Sequence, residues 1–136
     1  MAIQEGRSAA AISSLKSLAQ EADGLGLKYL SVECSVDLAE ALVNAKDYSS
    51  ALQELEPVLG KVEKLGLRTL LARGHYLLAT ALRLTGNSAE ATGHYREALR
   101  WLEEIRKEAG SNKVMERADL NSMYTESARW SQAGKS

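Results

Sequence analysis

Phe is absent from the 136 residues, and there is one Pro, one Cys and only two His. Each shortage excludes something. Cys34 alone cannot close a disulfide within the chain or build a thiolate zinc site, and it reads as a small buried hydrophobe in a reducing, cytoplasmic setting. His75 and His94 lack partners at ligand or catalytic spacing, so both read as helix-surface or groove residues. No Gly-rich phosphate loop is present: Gly24 and Gly26 follow no strand and precede no Lys-Ser/Thr pair. Charge of one sign is missing as well. With 17 basic and 18 acidic residues the net charge is -1, which argues against a nucleic-acid or anionic-lipid surface. No apolar run approaches the roughly 20 residues of a membrane span, and MAIQEGRSAA lacks the pattern of a signal peptide. These absences assign no catalytic residue, no metal and no cofactor, and the chain reads as non-enzymatic.

What remains is helix-forming. Hydrophobic residues make up 45% of the chain, enough for a buried core. Ala, Leu, Glu, Lys and Arg are plentiful, and strand-type alternation of Val, Ile and Thr appears nowhere. The sequence also repeats. Sliding it by forty places lays GLGLKYL on KLGLRTL, Gly26 on Gly66, Leu38 on Leu78, Ala39 on Ala79, Leu42 on Leu82, Ala51 on Ala91 and Leu59 on Leu99. The same shift lays Ala11 on Ala51 and Leu15 on Leu55, so the chain opens on the second helix of a unit. A period of this length suits two helices and two turns.

Within each unit the apolar residues step by three and four. The stripes run through Ile12, Leu15, Leu18 and Ala22, through Ala51, Leu55, Val58 and Val62, through Leu67, Leu71, Leu78 and Leu82, and through Ala91, Tyr95, Ala98 and Leu102. Gly26 and Gly66 mark corners that favour a left-handed residue. Asp47 is placed to cap the next helix, and Asn87 with Glu90 has the spacing of a capping box after Gly86. Pro57 sits inside a stripe that continues past it, which predicts a bent helix rather than a terminated one.

The stretch from Tyr76 to Leu99 resembles a tetratricopeptide repeat (TPR). It carries Leu78 and Ala79 in the first helix, Gly86 and Asn87 at the turn, and Ala91, Tyr95 and Ala98 in the second. The preceding copy keeps Leu38, Ala39, Asp47, Ala51 and Leu55, with Val58 for a small residue and Ala45 for the turn Gly. The likeness spans about residues 5 to 109. Its period exceeds the family's thirty-four, which suggests longer helices of the type seen in some bacterial regulators. More loosely, the chain is similar to repeat tails that follow signalling domains in multidomain bacterial proteins. The resemblance implies an all-α, right-handed α-solenoid of antiparallel helix pairs, about six helices in one domain over 1–136. The division it suggests is a second helix over 5–24, repeats over 26–64 and 66–109, a C-terminal capping segment over 111–131 and a frayed tail over 132–136. A phase change between Val114 and Ala118 on one side and Leu120, Met123, Tyr124 and Ala128 on the other predicts a break near Asp119.

For function the resemblance implies binding of a peptide or protein along a concave groove lined by first helices. The positions that would face it are Glu33, Asp37, Glu40 and Asn44 in one copy, and Arg73, Tyr76, Thr80 and Arg83 in the next. This arrangement predicts a groove acidic at one end and basic at the other, able to orient a peptide of mixed charge. The Lys and Asn clamp of chaperone-binding family members has no counterpart among these acidic residues. A second reading is a self-associating element, because a chain opening mid-repeat would leave the face of Ile12 and Leu15 without a partner helix, and a homodimer would cover it. A third is a regulatory tail of a larger bacterial signalling enzyme.

Overall fold

The computed structural model describes residues 2–109 and 118–131. Among them the chain is all-helical, with six helices and no strand: α1 (Ala2–Gly24), α2 (Lys28–Asn44), α3 (Tyr48–Leu65), α4 (Arg68–Leu84), α5 (Ser88–Ala109) and α6 (Ala118–Ser131). The expectations for Val114 and the tail lie outside the described residues. α6 begins at Ala118, next to Asp119, and the residues on the other side of the expected break lie outside the described ones. α3 runs through Pro57 without ending, as the apolar period requires.

The four described turns share one mechanism. Gly26, Lys46, Gly66 and Gly86 all take positive φ, at 74°, 65°, 71° and 92°. At each, the left-handed residue donates its N–H back to a carbonyl three residues earlier, and the next residue donates to one five residues earlier. At the second turn these bonds are Lys46 N to Val43 O at 3.0 Å and Asp47 N to Leu42 O at 2.9 Å. The pattern satisfies carbonyls that the ended helix leaves unpaired. The left-handed residue in the α2–α3 turn is therefore Lys46, the true counterpart of Gly86 under the forty-place shift, and not Ala45. A positive-φ lysine is invisible to a search for turn glycines.

Asp47 caps α3 as its position predicts, accepting from Ser50 N at 3.3 Å. The capping box at Asn87 does not form. Its amide donates to Thr85 Oγ1 at 3.4 Å, and the backbone alone closes the first turn of α5 through Ala91 N to Asn87 O at 3.0 Å.

Each helix packs on its chain neighbour, and in addition α2 meets α4 and α4 meets α6. The largest core cluster joins Val36 and Ala39 of α2, Leu55 and Val62 of α3, Leu78 and Leu82 of α4, and Tyr95 of α5. Every one is at least nine-tenths buried. α3 and α4 approach closely at Gly74, where an added Cβ would stand 2.5 Å from Leu59 Cδ2.

Ile12 and Leu15 are not left without a partner. They pack against Leu38, Leu42 and Ala51, because α1 lies on α2 and turns that stripe inward. Leu18 of the same stripe stays exposed, as does Leu84 at the end of α4, and the other exposed large hydrophobics gather around the α1–α2 corner: Leu25, Leu27, Tyr29 and Leu30, at 68%, 48%, 60% and 39% exposure. Cys34 is buried, as its place near the apolar face predicts.

Candidate functional site

The polar residues singled out in α2 and α4 face one another across the junction of those helices. Two open clefts meet there. The first, of ≈ 510 Å³, is lined by Glu40 and Asn44 of α2, by Arg73, Tyr76, Thr80 and Arg83 of α4, and by Ser122 and Glu126 of α6. The second, of ≈ 580 Å³, is lined by Tyr29 and Glu33 of α2 and by Arg68, Thr69, Leu70 and Arg73 of α4. Arg73 belongs to both. Of the eight expected residues, six line the first cleft, Glu33 lines the second, and Asp37 reaches them through Arg73.

Arg73 sits where the clefts join. One terminal nitrogen lies 2.7 Å from Asp37 Oδ1, while Nε at 2.8 Å and the other terminal nitrogen at 2.6 Å both reach Glu40 Oε2. Burial opposes its charge, but the two carboxylates outweigh that and hold its pKa above the ordinary value. The spacing of Asp37 and Glu40, one helical turn apart, brings both to one cation on the facing helix.

Arg83 is engaged differently. Its guanidinium stacks 4.2 Å from the centre of the Trp130 ring, and its Nε donates to Tyr95 Oη at 3.2 Å. Tyr95 is fully buried, and its hydroxyl also meets Thr80 Oγ1 at 3.0 Å. Tyr76 donates to Glu126, and its phenol pKa is raised, first by burial and then by that bond. The charges are therefore not sorted into an acidic and a basic end. Arg73 is neutralised in the middle by α2, because the helices bring Asp37 and Glu40 within reach of it, and Arg83 is covered by α6. Of the eight expected residues, Glu33 and Asn44 are the exposed ones, and Thr69 and Ser122 add exposed hydroxyls to the cleft walls.

Comparison with protein-family models, curated proteins and solved structures finds no match to this chain.

Sequence reasoning missed the contribution of α6. Ser122, Glu126 and Trp130 recur every four residues, one step around the helix from the buried Leu120, Met123 and Ser127. That second stripe was visible as helical spacing, but its contact with α4 was not. It also missed a pair beyond the groove. His75 Nδ1 and His94 Nδ1 lie 3.0 Å apart, with ring centres 5.3 Å apart. The ring nitrogens thus point at each other, as in an N–H···N hydrogen bond. Burial, and then the other ring's charge, lowers the His75 pKa to about 4; burial is also the main cause of the lowered His94 pKa. Among the described residues no group of three His, Cys, Asp or Glu is placed to hold a metal ion, and no helix is long and apolar enough to cross a membrane.

Proposed function

We propose that the chain is a tetratricopeptide-like module, a right-handed solenoid of helix pairs, that binds a peptide or partner protein along the groove over α2, α4 and α6. One observation carries this reading. Two adjoining clefts run along the polar faces of successive first helices and share Arg73. A shared groove of this kind suits an extended segment better than a compact small molecule, since both clefts are open and neither encloses a ligand. The forty-place repeat supports the solenoid, because such units cover their apolar faces by stacking.

The groove's chemistry favours a partner carrying cations. Glu33 is exposed beside Tyr29, so a lysine or arginine could pair with the carboxylate and lie on the ring. Asn44 offers a donor and an acceptor to a peptide backbone further along. The test is selection of displayed peptides on the purified chain, followed by anisotropy titration of the selected sequences. The variant Glu33→Lys, which reverses the exposed charge offered to the partner and leaves the Arg73 brace intact, should abolish capture while retaining the helical circular-dichroism signal. Unchanged capture by that variant would reject the groove.

The exposed apolar corner formed by Leu25, Leu27, Tyr29 and Leu30 favours a second reading, a homodimer that covers it. A chain of 14.8 kDa would then show nearly double that mass by light scattering, falling with dilution. Leu27→Glu should return it to the monomer, and a concentration-independent monomer mass would discard the reading. Attachment to a larger bacterial signalling enzyme is compatible with either mode, the module then docking its partner.

A further inference from the structure

A separate cleft of ≈ 300 Å³ lies where the end of α1, the start of α2 and the last turns of α3 meet. Its floor is apolar, made by Val32 and Leu65, and three lysines line it: Lys28, Lys61 and Lys64. Ser31 adds a hydroxyl, and Asp23 is the one carboxylate among its lining residues. Alongside, a shallower cleft shares Asp23, Ser31 and Lys61 and adds Lys16 and Glu54, which cancel each other. The balance at the floor is thus positive by two charges, in a chain whose net charge is -1.

Among the described residues these lysines form no ion pair. Every ion pair among the described residues uses an arginine. The start of α2 also has no side-chain cap, so its end of the helix dipole adds the same sign.

The repeat supplies an internal control. Forty places on, Lys28 becomes Arg68, Lys61 becomes Trp101, Lys64 becomes Glu104 and Ser31 becomes Leu71. At that second corner Arg68 is paired with Glu108, Leu71 is buried, and Trp101 packs into the core. Packing of the fold therefore does not require three lysines around an opening. The cationic cleft is particular to the first corner.

The geometry points to this cleft as a binding site for a phosphate monoester. A dianion matches the excess of two positive charges. Lysines supply point-charge donors of the kind phosphate accepts without the forked geometry of arginine. The apolar floor would seat the first carbons of the group that carries the phosphate. The cleft's size suits a single such group, carried either by a small molecule or by a phosphorylated side chain.

The experiment is an NMR titration of the whole chain with inorganic phosphate, glycerol phosphate and a phosphoserine peptide, with the unphosphorylated peptide as control. The expected result is saturable shifts at the Ser31, Val32 and Leu65 amides, with the matching Leu71 and Ile105 amides unmoved. The double variant Lys61→Gln, Lys64→Gln should weaken binding at least tenfold while keeping the helical signal. Tighter binding of glycerol phosphate assigns the site to small phosphate esters, and tighter binding of the phosphopeptide to a modified chain. Shifts that never saturate, that appear equally at both corners, or that persist in the double variant would overturn the assignment.

Discussion

Arg73 on α4 holds Glu40 on α2 through two nitrogens of one guanidinium, at 2.8 and 2.6 Å, and both end on the same carboxylate oxygen. With Asp37 beside it, this contact ties α2 to α4 across the groove. It also explains why the groove lacks the acidic and basic ends that its sequence predicts. A side chain read as a ligand contact serves first as a brace.

Replacing Arg73 with Ala should therefore cost stability as well as binding. The three side chains are partly exposed, so the expected loss is about 1 kcal/mol, and molar salt should shrink it. Urea denaturation of Arg73→Ala, Glu40→Ala and the double variant at low and high salt measures the coupling. Additive single effects would mean that the pair contributes nothing.

The histidine pair predicts a loss of stability in mild acid. His75 is held near a pKa of about 4, against an ordinary 6.5. Between those values the unfolded chain binds more protons than the folded one. Stability is thus fully present above pH 6.5 and falls as pH drops toward 4. With allowance for solvent, the loss is about 2 kcal/mol. A proton on both facing Nδ1 atoms would also set N–H against N–H. Melting temperature against pH should flatten in the double variant His75→Gln, His94→Gln; an unchanged slope would place the pH dependence elsewhere.

Lys46 takes a backbone conformation that a side chain disfavours, with φ at 65°. Lys46→Gly should stabilise the chain by about 0.5–1 kcal/mol, relief of left-handed strain outweighing the added freedom of the unfolded chain. The opposite change, Gly86→Ala at the matching turn, should destabilise by a similar amount. Thermal denaturation of both variants checks the sign.

Tyr95 is fully buried, with its hydroxyl shared between Thr80 and Arg83. Tyr95→Phe keeps the volume and removes those bonds, so about 1 kcal/mol should be lost. Release of Arg83 from its hydrogen bond should alter its stacking on Trp130 and shift tryptophan emission. Loss of stability with no change in emission would separate the two roles of the hydroxyl.

Cys34 is 3% exposed, and burial, followed by the charges of Asp37 and Glu33, raises its thiol pKa. A thiol reagent should label it slowly in the native chain and rapidly in urea. Equal rates would mean that α2 opens often.

Much of this architecture was legible in the sequence. The three-and-four spacing of Leu, Val and Ala gave the helices, since a helix buries whatever recurs on one face. Gly26, Gly66 and Gly86 gave three turns, since only glycine reaches positive φ without strain. Lys46 escaped because the same conformation can be forced on a lysine by flanking helices that must turn. Ile12 and Leu15 were misjudged because a stripe does not say which neighbour covers it.

The candidate site divided in the same way. Its eight residues could be placed on the exposed faces of α2 and α4 from periodicity alone, because helical register fixes which side chains share a face. Their partners could not. Arg73 meeting Asp37 and Glu40, Arg83 lying on Trp130, His75 facing His94, and three lysines rimming one corner each join residues from different helices. Such meetings depend on the distance and rotation between packed helices. The whole core sets those at once, and no local pattern encodes them.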